Sequence, residues 1–109
     1  RYSLISNSLN ISAIYGLLHN ELPNIELSVH LHSAAHNWKE KVVSAYSAGC
    51  RSFDSAIKGY GGCPFAKDDL VGNLATENLI EYFYNKLPAN FNLDLFSRSM
   101  QVSQKVFLP

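Results

Sequence analysis

The chain has 109 residues, 47% hydrophobic and 17% charged, which is enough apolar material for one core and excludes a disordered tail. Nine basic and nine acidic side chains cancel without forming blocks, so we expect neither a nucleic-acid nor a membrane partner. No apolar run approaches the ~20 residues of a membrane span, and two cysteines are too few for a disulfide framework, so we expect a cytoplasmic location.

The first third of the chain predicts a helix and then a strand. Apolar residues recur at helical spacing over about residues 10–20, and Ser8 or Asn10 is the expected cap. The predicted apolar stripe consists of Ile11, Ile14, Tyr15, Leu17 and Leu18. Residues 25–32 alternate in polarity, which predicts a strand of roughly six residues with His30 and His32 on one face.

The middle of the chain predicts a second helix, a second strand and a loop. Asn37 and Glu40 have the spacing of a capping box, and Gly49 is a natural left-handed stop. The stripe between them is Trp38, Val42, Ala45 and Tyr46. Residues 50–57 form the next predicted strand, and the glycine-rich residues 58–64 predict a functional loop.

Two further helices complete the predicted order. One runs over about residues 74–86, and the other over about residues 94–105. The second is expected to bury Leu95, Phe96, Val102 and Val106. Strands that alternate with helices are typical of an α/β fold with a parallel sheet. A closed eight-stranded α/β barrel takes about 250 residues, so this chain would leave strand edges uncovered.

Two histidines on one strand suggest a metal site. Residues i and i+2 of a strand lie about 6.6 Å apart on the same face, so His30 and His32 can converge on one ion. They lie at the carboxyl end of their strand, where barrel enzymes place their active sites. A His-x-His pair by itself is weak evidence, because packed or solvent-facing histidines are more common.

Two further motifs make the pattern specific. Residues 61–66 read Gly-Gly-Cys-Pro-Phe-Ala, and residues 72–77 read Gly-Asn-Leu-Ala-Thr-Glu. Together with the upstream His30-Leu31-His32 strand and the Phe-Asp-Ser-Ala of residues 53–56, they resemble the active-site segments of 3-hydroxy-3-methylglutaryl-CoA lyases. The resemblance is densest over residues 27–81. Isopropylmalate synthases and related Claisen-type enzymes share the histidine pair but normally lack the Gly-Gly-Cys-Pro loop.

The resemblance implies a fold and an activity. Residues 1–109 would be the carboxyl-terminal portion, about the last three βα units, of a TIM (β/α)8 barrel that is incomplete on its own. The parent would be a carbon–carbon lyase that cleaves the acyl-CoA thioester 3-hydroxy-3-methylglutaryl-CoA to acetyl-CoA and acetoacetate. The resemblance also implies a homo-oligomer, namely a dimer.

The resemblance further implies roles for individual residues. His30, His32 and Asn73 would be the metal ligands for Mg²⁺ or Mn²⁺. His30 would also move the substrate's hydroxyl proton, Cys63 would be the acid that protonates the acetyl-CoA carbanion, and Glu77 would support catalysis. The arginine and the aspartate of the family's first strand cannot be located in this chain, so the 109 residues alone are expected to be inactive.

The sequence leaves two other functional interpretations open. Ser33-Ala34 replaces one Asp-Thr pair of the family. A strand is also predicted before the first helix, and residues 3–8 at its end lack the acid that the family has there. These differences keep a related metal-dependent aldolase or Claisen-type acyl-condensing enzyme as an alternative. A non-catalytic, degenerate or truncated barrel segment that self-associates through sheet edges is another.

Several residues also have plain structural interpretations. His19 and His36 are expected at the surface, and Cys50 is expected to pack as a small hydrophobe. Without the motif, Asn73 reads better as a helix cap than as a ligand. Asp54 is as consistent with a structural role as with a catalytic one.

Overall fold

The computed structural model describes residues 7–61 and 72–107. The helices are α1 (Ser8–Glu21), α2 (Trp38–Ser47), α3 (Thr76–Tyr82) and α4 (Leu93–Phe107). The strands are β1 (Val29–His30), β2 (His32–Ser33), β3 (Phe53–Asp54) and β4 (Gly72–Asn73). Two short 3-10 helices, Ile57–Gly59 and Tyr84–Lys86, flank this last strand and α3.

The cap of α1 differs from the one predicted. Asn7 is the N-cap, and its Oδ1 accepts a hydrogen bond from the backbone N–H of Asn10 at 2.9 Å. The expectation of Ser8 or Asn10 as the cap is therefore wrong. Ser8 is the first helical residue, and Asn10 is the donor rather than the acceptor.

Only one side of α1 is buried. Ile11 and Tyr15 lie one turn apart and pack in the core with Leu31, Ala45 and Cys50. The remaining residues of the predicted stripe are exposed in the described part of the chain: Ile14, Leu17 and Leu18. The predicted stripe was too wide, because α1 packs mainly against the single neighbouring helix α2.

Strands β1 and β3 confirm a parallel strand–helix–strand unit. They pair in parallel with Val29 opposite Phe53 and His30 opposite Asp54, and α2 provides the crossover. Both strands are shorter than predicted. An isolated parallel bridge between Ala56 and Ala75 continues the same strand direction.

Strands β2 and β4 form an antiparallel pair, which corrects the expectation of parallel pairing throughout. His32 lies opposite Asn73, and Ser33 lies opposite Gly72. The predicted strand over residues 25–32 is thus divided at Leu31, whose carbonyl accepts from the N–H of Leu74. Residues 72–74 therefore pair with residues 31–33 and do not extend the ladder between β1 and β3.

Helix α2 also begins differently from the prediction. The side chain of Asn37 makes no capping bond to the helix, and its Oδ1 accepts from the N–H of Ala34 at 2.8 Å. The capping box with Glu40 is therefore wrong. Gly49 has φ of +112°, which confirms it as the left-handed residue after the helix.

Cys50 is fully buried in the core, as predicted. Its Sγ lies 3.2 Å from the carbonyl oxygen of Ser52, which accepts its hydrogen bond. Burial raises the pKa of this thiol, because the thiolate would lose its hydration, and the backbone hydrogen bonds offset part of that effect. Cys50 therefore has a structural role.

The carboxyl-terminal helices depart from the prediction in length and in burial. Helix α3 ends at Tyr82 and does not continue to Lys86. In α4, Asn92 caps the N–H of Leu95, but the side that was expected to be buried is open in the described structure. Its exposed members are Leu95, Val102 and Val106. Among the described residues, none of the helices has the length and apolar character needed to cross a membrane.

Candidate active site

The two predicted metal-binding histidines lie side by side at the carboxyl end of β1. His30 ends β1 and His32 begins β2, and their ring centroids are 5.2 Å apart with an interplanar angle of 75°. Leu31 between them is buried and anchors the backbone in the core. The strand spacing thus brings both imidazoles to one place, as predicted.

Asp54 lies beside His30 because the parallel register places the two residues opposite each other. Its Oδ2 is 3.4 Å from Nδ1 of His30, and its Oδ1 accepts a hydrogen bond from Oγ of Ser28 at 3.2 Å. The sequence left the role of Asp54 open. Its partner could not be identified without knowing which strands pair and in which register.

Asn73 lies opposite His32 across the antiparallel ladder. Its Nδ2 donates to the carbonyl oxygens of Tyr60 at 2.8 Å and Gly61 at 2.7 Å. Its Oδ1 is buried and has no hydrogen-bond partner among the described residues. The N-cap of α3 is Ala75, so the interpretation of Asn73 as a helix cap is wrong.

The glycine-rich loop begins in contact with Asn73. Gly59 has φ of +70°, and a Cβ at this position would lie 2.6 Å from the carbonyl oxygen of Asn73. Only glycine permits this approach of two backbones. The loop therefore starts at the predicted ligand. Cys63 follows Gly61 by two residues and lies outside the described residues, so its catalytic role stays a prediction.

The side chain of Glu77 contacts the backbone where the same loop begins. Its Oε1 accepts a hydrogen bond from the N–H of Lys58 at 2.8 Å. Lys58 has φ of +56°, which is uncommon for a residue with a side chain, so the carboxylate stabilises a costly backbone conformation. This contact is compatible with the supporting role predicted for Glu77.

A buried lysine at the site was not predicted from the sequence. Lys41 is 8% exposed, and its Nζ donates to the carbonyl oxygen of His32 at 2.8 Å. Burial lowers the pKa of this ammonium group, and the nearby charge of Glu40 acts in the opposite direction. The ammonium group ties α2 to the strand that carries His32.

The donor set fits a divalent ion only if Asn73 takes part. Among residues 7–61 and 72–107, no group of three or more His, Cys, Asp or Glu side chains could hold a metal. The buried Oδ1 of Asn73 adds an oxygen donor on the residue paired opposite His32, and the amide nitrogen of the same side chain is already engaged. A nitrogen and oxygen set of this kind suits Mn²⁺ and, with added water or substrate oxygens, Mg²⁺.

The fold and site together indicate a class of protein, the α/β enzymes. A parallel strand–helix–strand unit with polar side chains at the strand ends occurs in α/β-barrel enzymes and in other α/β folds. A 3-hydroxy-3-methylglutaryl-CoA lyase from Acinetobacter baumannii, solved with coenzyme A and 3-methylmalate, superposes with a TM-score of 0.77. It is 27% identical, and the match covers 93% of this chain and 33% of that one.

Sequence relatives narrow the class to a family. An (R)-citramalyl-CoA lyase from Chloroflexus aurantiacus is 35% identical over 85 residues, which are 78% of this chain and 26% of the relative. The cytoplasmic 3-hydroxy-3-methylglutaryl-CoA lyase of Mus musculus is 40% identical over 76 residues, which are 70% of this chain and 22% of the relative. No family model matches the chain. The chain is similar to 3-hydroxy-3-methylglutaryl-CoA lyases, as its motifs predicted, and spans about a quarter of the length of these curated relatives.

Proposed function

We propose that the native protein is a metal-dependent lyase that cleaves 3-hydroxy-3-methylglutaryl-CoA to acetyl-CoA and acetoacetate. The observation that carries the proposal is that His30 and His32 lie side by side and Asn73 is paired opposite His32, with a buried Oδ1 that has no hydrogen-bond partner among the described residues. The curated relatives named above are lyases of CoA thioesters, which favours this reaction over the condensation of a 2-oxo acid. A bound coenzyme A in the structural relative supports an acyl-CoA ligand.

His30, His32 and Asn73 are the residues of this chain that would hold Mg²⁺ or Mn²⁺. A divalent ion held there supplies Lewis-acid polarisation of the substrate's hydroxyl and carboxylate oxygens. The hydrogen bonds from Nδ2 of Asn73 to the loop keep its Oδ1 turned away from those carbonyls. The amide is thus preorganised to present oxygen and not nitrogen.

The proton transfers are assigned to His30 and Cys63. His30 helps pass the proton of the 3-hydroxyl group to solvent water, because its own two ring nitrogens would be engaged by the ion and by Asp54. The oxygen then forms a carbonyl as the bond between C2 and C3 breaks. The electron pair of that bond remains on C2 of the departing acetyl-CoA unit. Cys63 gives its proton to this carbon, which completes the two products. Glu77 stabilises the backbone at the start of the loop that contains Cys63, through its hydrogen bond from the N–H of Lys58.

The compartment and assembly stay predictions. We propose a cytoplasmic dimer. Relatives named as cytoplasmic and as mitochondrial both match the chain, so the name of a relative does not assign the compartment.

A direct assay tests the proposal. The native protein is incubated with 3-hydroxy-3-methylglutaryl-CoA and Mn²⁺, and acetoacetate is measured with and without a chelator. We expect release that depends on the ion and is lost in His32→Ala. Lys39→Ala, an exposed change on α2, is the control and should retain activity. Absence of acetoacetate from the native protein would reject the proposal.

The citramalyl-CoA lyase match supports a second substrate. This relative aligns over more residues of the chain than the mouse enzyme does, 85 against 76. The second candidate is therefore a lyase of citramalyl-CoA with the same donor set. Comparing kcat/KM for the two thioesters decides between them, because the preferred substrate has the better-bound transition state.

A further inference from the structure

The pairing of Asp54 with His30 carries an inference about how the site is positioned. Both carboxylate oxygens of Asp54 are engaged, one near Nδ1 of His30 at 3.4 Å and the other accepting from Ser28 at 3.2 Å. Ser28 Oγ also lies 3.3 Å from the carbonyl oxygen of Ser52, at the strand that carries Asp54. The carboxylate is therefore oriented by the pairing of β1 with β3.

The chemistry of the pair fixes the proton on one ring nitrogen. An ionised carboxylate can only accept hydrogen bonds, so a hydrogen bond between Asp54 and the Nδ1 that faces it requires the proton on Nδ1. In the neutral ring this leaves the lone pair on Nε2. A histidine that binds a metal commonly donates its other ring N–H to a carboxylate in this way.

We propose that Asp54 is a positioning residue that holds His30 as the Nδ1–H tautomer and thereby presents Nε2 to the ion. The metal-binding part of this inference rests on the proposed function. The side chains of His30 and Asp54 are 41% and 59% exposed, and exposed ion pairs contribute little to folding stability. The pair therefore acts on the state of the ring and not on the stability of the fold.

The tautomer is tested first, without metal. The native protein is labelled with ¹⁵N-histidine, and the ring nitrogens of His30 are assigned by comparison with His30→Gln. At a pH where the ring is neutral, we expect Nε2 to show the pyridine-type resonance. Asp54→Asn, which retains a hydrogen-bond acceptor, should keep that state, whereas Asp54→Leu should lose it. The same tautomer in Asp54→Leu and in the native protein would overturn the inference.

Metal affinity is tested second, by Mn²⁺ titration of the same proteins. Asp54→Leu should bind Mn²⁺ about 10–100-fold more weakly, with Asp54→Asn restoring part of the loss. Asp94→Leu removes an exposed carboxylate from α4 and serves as the control, with unchanged affinity expected. Equal affinity in all variants would overturn the metal-binding role of Asp54. A native protein that binds no Mn²⁺ would reject the proposed function, and the ring resonances would still decide whether Asp54 sets the tautomer.

Discussion

Nδ2 and Oδ1 of the Asn73 side chain have different roles, and substitutions can distinguish them. Asn73→Ala removes both hydrogen bonds from Nδ2 to the loop, at 2.8 and 2.7 Å, together with the buried Oδ1. Asn73→Asp keeps an oxygen donor but turns an acceptor toward two carbonyl oxygens. At about 1 kcal/mol for each hydrogen bond, either variant should destabilise the start of the loop by about 2 kcal/mol.

A loss of about 2 kcal/mol raises the open population of the loop start roughly 30-fold, since 1.4 kcal/mol is tenfold. Hydrogen exchange at the amides of Gly59 and Tyr60 measures this opening, because both amides bond within the preceding turn. We expect faster exchange in both variants, whereas Mn²⁺ affinity should fall in Asn73→Ala and persist in Asn73→Asp. Native Mn²⁺ affinity in Asn73→Ala would refute the assignment of Oδ1 as a ligand.

Two other features of the chain give predictions of their own. Gly59→Ala should cost at least about 1–2 kcal/mol in urea unfolding, because φ is +70° and the new Cβ would meet the Asn73 backbone, whereas Gly16→Ala in open space should gain up to about 1 kcal/mol. Equal effects at the two glycines would contradict this account. Iodoacetamide near neutral pH should modify Cys63 and leave the buried Cys50 intact, as read by peptide mass spectrometry. The raised pKa of Cys50 favours the folded state fully below the pKa of the unfolded thiol, about 8.5, and less as the pH rises through the pKa of the folded thiol. The free energy of unfolding relative to Cys50→Ala should therefore fall between pH 7 and 10. A difference that does not change with pH would argue against burial of the thiol.

Helices were easier to predict from the sequence than their packing. Periodicity located α1, α2 and α4 within a few residues, because each has an apolar stripe and a local end signal. Which stripe residues are buried depends on neighbouring elements. Leu95 and Val102 have the pattern of core residues and yet are exposed in the described structure.

The antiparallel pair of β2 and β4 could not be predicted from local pattern. The backbone of Asn73 in this pair lies close to Gly59, 14 positions earlier in the sequence, and such a long-range contact has no local signal. Alternating polarity predicted one long strand, because it does not show where the hydrogen-bonding partner changes. The register that places Asn73 opposite His32 joins residues far apart in the sequence, so local pattern does not encode it.

Residues of the candidate site could be predicted where they belong to a sequence motif. His30, His32 and Asn73 were selected from the sequence, and the structure brings the two imidazoles together with the amide opposite His32. Their roles as ligands stay predictions. Asp54 and Lys41 support the site through strand register and helix packing, which leave no signature in the order of residues.

Pulsed electron paramagnetic resonance of Mn²⁺ bound to the native protein tests the metal assignment most directly. Couplings from two imidazole nitrogens should be present, and one should disappear in His30→Gln and the other in His32→Gln. A spectrum without imidazole coupling, or one unchanged by both substitutions, would contradict a metal centre built on these histidines.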